Sequence, residues 1–151
     1  MEILEYSISQ VAEKMKVTVP TLRYYDNLGL FQNLKKNQNG NRIFTEEAIE
    51  VLRMIQYLKK SGMQLMEIKE FMNWCQEGDA TIEKRLKLFK TQKEKVLSEM
   101  KRLQETLNLI NYKEWYYTKA LEDGTEQYVK NMPLEKMPKE IQEEFKKCHY
   151  S

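Results

Sequence analysis

From Thr81 to about Tyr117 the apolar residues Ile82, Leu86, Phe89, Val96, Met100, Leu103, Leu107, Ile110 and Tyr117 recur at alternating spacings of four and three, and Lys93 and Glu114 occupy the two remaining places of the series. A row of this kind, held for about five repeats, is the mark of a coiled coil. A lone helix would leave the row wet, so it requires a partner. Charged residues inside it tune register at some cost in stability. The tail supplies no comparable second row. The predicted partner is therefore a second copy of the chain, with residues 80–119 as the dimerisation helix and Ile82, Leu86, Phe89, Val96, Met100, Leu103, Leu107 and Ile110 as its contacts.

The residues before this helix predict short, well-punctuated elements. Ser7 or Ser9 can cap a short helix holding Ile8, Val11, Ala12 and Met15. A break follows at Lys16-Val17, then Thr18 as a cap and Pro20 in the first turn, where its missing N–H costs nothing. The second helix carries Leu22, Tyr24 and Tyr25 and stops near Gly29. Two short helices with a tight break fit a helix-turn-helix. Asn39-Gly40 between Leu34–Lys36 and Arg42–Phe44 predicts a hairpin, read as a two-stranded wing. Thr45 caps a helix with Ala48, Ile49, Leu52, Ile55 and Leu58 at helical spacing, stopped by Ser61-Gly62. Leu65, Ile68, Phe71 and Met72 mark a fourth helix. The tail holds Gly124, Pro133 and Pro138 and room for one short helix, Lys139–Lys147, with Ile141 and Phe145 on one face. The expected domains are 5–75, 80–119 and 120–151.

Composition narrows the class. Five Gly and three Pro in 151 residues exclude collagen-like and turn-dense all-β chains. No apolar run approaches the ~20 residues of a membrane span, and no membrane partner is expected. The start lacks a signal-peptide profile, and two cysteines suit a reducing cytosol. The net charge of +2 is uninformative, but residues 10–44 hold six basic and two acidic side chains. A positive leading segment is a modest electrostatic footprint for nucleic acid; a solvated face would look the same. No catalytic constellation emerges: the single histidine, His149, lies in the tail, and there is no Gly-rich phosphate loop and no H-E-x-x-H. No enzyme activity, cofactor or metal is expected.

The strings Ser7-Ile8-Ser9-Gln10-Val11-Ala12, Val17-Thr18-Val19-Pro20-Thr21-Leu22-Arg23-Tyr24-Tyr25-Asp26, Gly29-Leu30, Asn39-Gly40-Asn41-Arg42-Ile43-Phe44 and Leu58-Lys59-Lys60-Ser61-Gly62-Met63 resemble the MerR family of bacterial transcription regulators. Gly78-Asp79-Ala80-Thr81-Ile82-Glu83-Lys84-Arg85 and Leu109-Ile110-Asn111-Tyr112-Lys113 are similar to its AdhR-like branch, associated with aldehyde or other electrophile stress. The resemblance implies a mainly α fold: a winged helix-turn-helix DNA-binding domain, a long helix forming an antiparallel coiled-coil homodimer, and a short C-terminal tail. It also implies binding to double-stranded promoter DNA between elements set too far apart. The dimer then bends and untwists that DNA for RNA polymerase when an effector binds.

Candidate DNA contacts follow. Arg23 can donate two bonds to a phosphate or a guanine edge, or pair with Asp26 one turn on. Tyr24 and Tyr25 point about 100° apart, so one packs inward while the other offers its hydroxyl to a phosphate. The resemblance favours Tyr24 for the phosphate, with Tyr25 as a further contributor. Thr18 and Thr21 open the recognition helix, where base edges are approached. Lys35, Lys36 and Arg42 decorate the wing, Arg42 as a groove or phosphate contact, while Phe44 plugs the core. Lys60 sits at a helix end as a further phosphate contact.

For an unknown small-molecule effector the candidates are Cys75, Tyr112, Trp115 and Tyr116. Cys75 is either a thiol switch or a buried, inert residue beside Trp74, and burial is the expectation. The AdhR-like branch carries its reactive cysteine around Gln56, where this chain has Gln56-Tyr57. The aromatic run from Tyr112 to Tyr117 either lines a pocket or closes the coiled coil on the partner, and closure is the expectation. The function predicted is a cytoplasmic, homodimeric, promoter-distorting regulator. The alternatives are an effector-independent repressor or architectural DNA binder, and a protein-interaction adaptor using the winged helix.

Overall fold

Three hydroxyl side chains set where the first helices begin. Ser7 Oγ accepts from the Gln10 N–H at 3.2 Å while Gln10 Oε1 accepts from the Ser7 N–H at 2.8 Å. This reciprocal pair satisfies two N–H groups that the helix cannot. Thr18 Oγ1 accepts from the Thr21 N–H at 3.2 Å, and Thr45 Oγ1 from the Ala48 N–H at 3.3 Å. The computed structural model describes residues 4–32 and 34–150, and these form two compact units that divide between Lys93 and Glu94.

In the first unit β1 (Glu5–Ser7) leads into α1 (Ile8–Met15), α2 (Val19–Asn27), β2 (Lys35–Lys36), β3 (Arg42–Thr45), α3 (Glu46–Lys60) and α4 (Leu65–Glu77). The α1–α2 break is made by Lys16 in the left-handed conformation, φ 53°. The wing differs from the expected hairpin of two strands. It is a three-stranded antiparallel sheet in the order β1-β3-β2, with Tyr6 opposite Phe44 and Lys36 opposite Arg42. A three-residue strand is too short to show alternation, and its partner lies far along the chain. The hairpin turn is closed by Asn37, whose Oδ1 accepts from the N–H groups of Asn39 and Asn41 at 2.9 and 3.0 Å. Gly40 follows with φ 77°, a conformation glycine adopts without strain.

The core of this unit is the inward face of each element: Val11 from α1, Leu22 from α2, Phe44 from β3, Ile49, Leu52 and Ile55 from α3, and Ile68 from α4, all buried. Phe31 meets Phe44 edge-on at 5.3 Å, so Phe44 is the expected plug between sheet and helices.

The long helix α5 spans Ile82–Asp123, four residues beyond the expected end at 119, and Gly124 (φ 70°) follows it. Its first turns are pinned to the first unit. Phe89 packs edge-on to Phe71 at 5.1 Å, and Gln92 Nε2 donates to the Ser61 carbonyl at 2.7 Å. Arg85 Nη2 donates to the Gly78 carbonyl at 3.0 Å. Phe89, expected only as a dimer contact, is thus partly engaged inside its own chain.

In the second unit α5 is followed by α6 (Gln127–Lys130), a 3-10 turn at Leu134–Lys136, and α7 (Lys139–Tyr150). Tyr112 packs against Phe145 at 5.2 Å and His149 at 5.7 Å, and His149 stacks on Phe145 at 4.0 Å. Asn108 is buried and, with its amide nitrogen turned toward α7, donates to Glu144 Oε2 at 2.8 Å. The short tail helix was anticipated; its seat on α5 was not.

Truncating the plug tests this core. Phe44→Ala should destabilise the first unit by about 3–5 kcal/mol, the range for deleting a fully buried aromatic ring. Urea unfolding followed by circular dichroism measures it.

Candidate nucleic-acid interface

The recognition helix α2 divides its side chains by face. Leu22 and Tyr25 point into the core, whereas Arg23 is exposed and Tyr24 is 55% exposed. Arg23 has no ion pair or hydrogen bond within the chain among the described residues. The anticipated Arg23–Asp26 pair does not form. Asp26 Oδ2 instead accepts from Arg42 Nε at 2.6 Å, and Arg42 Nη2 also donates to Asn27 Oδ1 at 3.1 Å. Both partners of that ion pair are mostly shielded, with side chains 22% and 20% exposed.

Arg42 therefore departs from its expected role as a free groove contact. Two of its five donors are committed to the end of α2, and it holds the wing against the recognition helix. The same pair releases Arg23 to face solvent. Tyr25 departs as well. Its ring is 5% exposed, and its hydroxyl accepts from Lys59 Nζ at 3.2 Å, so it belongs to the core and to α3. Tyr24 remains the open hydroxyl of the pair.

Thr18 and Thr21 share a hydroxyl–hydroxyl bond of 2.7 Å at the start of α2, in addition to the cap. Their oxygens sit together at the helix N-terminus, where backbone N–H groups favour anions. Lys35, Lys36 and Lys60 are exposed, on the wing and at the last turn of α3. Lys59 differs from Lys60 by its bond to Tyr25. Sequence reasoning missed Asn27 and Asp26 as the brace for Arg42, because these partners lie 15 and 16 residues away. It also missed Gln56, whose Nε2 donates to the Met15 carbonyl at 3.0 Å and ties α3 to α1.

Residues 6–74 match the family model described as MerR HTH family regulatory protein. An uncharacterized HTH-type transcriptional regulator of Haemophilus influenzae is 38% identical over 130 residues, 86% of this chain and 96% of that protein. The chain belongs to the MerR family. It is a DNA-binding transcriptional regulator, and its relatives are regulators rather than enzymes. The crystal structure of HiNmlR, a MerR family regulator lacking the sensor domain, bound to promoter DNA, has a TM-score of 0.77 at 38% identity, covering 86% of this chain and 98% of that one. A MerR-family regulator from Bacillus thuringiensis has a TM-score of 0.63 at 44% identity, covering 73% and 96%. The regulator AdhR of Bacillus subtilis is 30% identical over 91 residues, 60% of this chain and 65% of its own length.

Of the four effector candidates, Cys75 belongs to the first unit and Tyr112, Trp115 and Tyr116 to the second. Cys75 is exposed, which overturns the expected burial beside Trp74; it stands one turn after Phe71 and Met72, close to the end of α4 at Glu77. Tyr112 is buried under α7, so its ring is used within its own chain, while Tyr117 stays exposed. Trp115 and Tyr116 flank it, half-buried, with ring centroids 6.2 Å away. Cys148 is half-buried, and burial followed by the Glu144 carboxylate pushes its thiol up. A concavity of about 700 Å³ that no sequence signal marked lies beside the wing, lined among others by Phe31, Leu34, Ile43 and Val51. No helix of the described residues is long and apolar enough to cross a membrane.

Two measurements probe these geometries. If Arg42 acts by bracing the wing, Arg42→Ala and Asp26→Asn should weaken DNA binding by similar factors in fluorescence anisotropy. A groove contact would make only the Arg42 change costly. Burial and then the nearby Cys148 raise the Tyr112 phenol above its ordinary value of 10.0. The unfolded phenol then ionises first, so this contribution to stability is intact below about pH 10 and is lost as the pH rises further. Tyr112→Phe should shrink the fall in Tm between about pH 9 and about pH 11.

Proposed function

We propose that the chain works as a cytoplasmic homodimer that grips promoter DNA with two winged helix-turn-helix units and distorts the duplex to control RNA polymerase. The observation that carries this reading is the exposed face of α2. Arg23 and Tyr24 stand open there, beside the paired Thr18 and Thr21 hydroxyls, while their neighbours Tyr25 and Asp26 are tied inward. That face matches the demands of a duplex: a planar guanidinium for a guanine edge or phosphate, and hydroxyls and a helix N-terminus for the backbone. Lys35 on the wing and Lys60 at the end of α3 extend the cationic surface. A relative of 38% identity whose structure is bound to promoter DNA supports the reading as a whole.

The homodimer rests on the apolar row of α5. Ile82, Leu86, Met100, Leu103, Leu107 and Ile110 are all exposed in the single chain, and an uncovered row of that length needs a second helix. Two reading units on a dimer suit a pseudo-palindromic operator. A small-molecule or stress signal, as in the AdhR-like branch, would act on this dimer. Cys75 is the more open thiol, the point a soluble electrophile reaches first.

Electrophoretic shifts on the chain's own upstream DNA test the binding half. A dimer presenting Arg23, Lys35 and Lys60 from each copy neutralises about six phosphates, so log K should fall with log salt at a slope of about −5. A slope near zero contradicts the reading. Arg23→Ala should cost about 1–3 kcal/mol and relax the preference at one base pair if it reads a base edge. A uniform loss across operator variants assigns it to phosphate instead.

A further inference from the structure

The turn that ends α3 is closed by its own backbone. The Gly62 N–H donates to the Lys59 carbonyl at 3.0 Å and the Met63 N–H to the Leu58 carbonyl at 3.1 Å, with Gly62 at φ 92°. This paired closure, with Leu58 and Met63 both buried, is a Schellman end. It makes Leu58–Met63 one rigid piece that carries Lys60. The core holds the inner side of that piece through Leu58 and Met63. Its Ser61 side is held by α5. The Ser61 hydroxyl spends its hydrogen on the Leu58 carbonyl at 2.6 Å, so its oxygen, like the Ser61 carbonyl, is left to accept. Buried Gln92 meets both groups: Nε2 donates to the carbonyl at 2.7 Å and to Oγ at 3.0 Å. A side-chain amide nitrogen has two hydrogens to give, and both go to the residue that follows Lys60.

We infer that Gln92 is a positioning residue for DNA binding: it holds the α3–α4 turn where Lys60 meets a phosphate. This inference rests on the Lys60 contact proposed above and adds the group that sets it. Lys60 and Ser61 share a peptide bond, with Cα atoms about 3.8 Å apart, and the closed turn passes a displacement of one to the other. A lysine ammonium grips phosphate as a point charge on a flexible stem. What the protein has to supply is the place of its Cα. Without the Gln92 donor, the Ser61 carbonyl faces α5 with no hydrogen bond, which is costly. The turn then gains by tilting that carbonyl toward water, and Lys60 moves with it.

Packing alone does not call for an amide here. Gln92 lies in the third turn of α5, in the same compact unit as Ser61. Phe89 against Phe71 already packs those turns. An apolar side chain of equal length would fill the same space. A buried amide gives up its water, and its two bonds return little beyond that loss. Its distinctive contribution is direction: it fixes one carbonyl, and the turn behind it, at one point on α5.

Gln92→Met keeps the length of the side chain and removes both donors. In fluorescence anisotropy with the full chain and its own upstream DNA, it should weaken binding by about threefold to tenfold, uniformly across operator variants. It should also move the slope of log K against log salt toward that of Lys60→Ala, which is shallower by about two for a dimer. With Lys60 already changed to Ala, Gln92→Met should cost less than about twofold more; with Arg23 already changed to Ala, it should keep its full effect. Gln92→Glu, which puts an acceptor where the donor stood, should give the same pattern and decides the matter if the methionine variant folds poorly. Gln92 changes that leave affinity and slope intact, or whose loss is the same with and without Lys60, overturn the inference and leave the Lys60 contact standing. A Lys60→Ala chain with unaltered affinity and slope overturns that contact, and the inference with it.

Discussion

An apolar row on α5 that, Phe89 apart, the described residues leave largely uncovered is the constraint around which this molecule is organised. The first turns of the helix are held by Phe71, Ser61 and Gly78, and its later turns by the aromatic cluster of α7. Those contacts use Phe89, Gln92, Arg85, Tyr112 and Asn108, and apart from Phe89 they lie off the seam. The row from Ile82 to Leu121 therefore stays largely open within the described residues. Exposed leucines and methionines in isolation mean little; ten apolar positions in a 4-3 series on one helix support the proposed dimer.

The DNA-reading face depends on a smaller device. Asp26 is adjacent to the Tyr24-Tyr25 pair and one helical turn from Arg23, yet its carboxylate goes to Arg42 on the wing. The exchange has two effects. The wing gains a directed, partly shielded tether to the recognition helix, and Arg23 keeps its guanidinium unpaired. Tyr25 and Lys59 make a parallel tie between α2 and α3. Side chains that look like a cationic and aromatic cluster in the sequence thus separate into those tied within the frame and those left open at its surface. Arg42, Asp26, Tyr25 and Lys59 hold the frame, while Arg23, Tyr24, Lys35 and Lys60 are presented by it.

Sensing is organised differently from the aromatic and thiol pattern of the sequence. The Tyr112 ring is spent on seating α7 against the long helix, and Cys75 faces water instead of the core. Neither placement was legible beforehand. Position 75 lies four residues after Phe71 and three after Met72, on the same side of α4, so helical spacing alone predicts burial; how far the core reaches along that side is set only by the folded chain.

The sequence by itself determined what is settled within one or two helical turns: the Ser7, Thr18 and Thr45 caps, the breaks at Lys16 and Gly29, the Asn-Gly turn, the core faces of the short helices and the row on α5. Each depends on bonds or periodicities between residues at most about four apart, so the local order of residues carries them. Tertiary structure decided the contacts that join distant segments: the third strand of the wing, the Arg42–Asp26 pair, the Lys59–Tyr25 bond and the seat of α7. An arginine has several carboxylates and amides within reach of its charge, and a tyrosine several surfaces that would bury it. Only the folded backbone, by fixing which of them lie within about 3 Å, makes the choice.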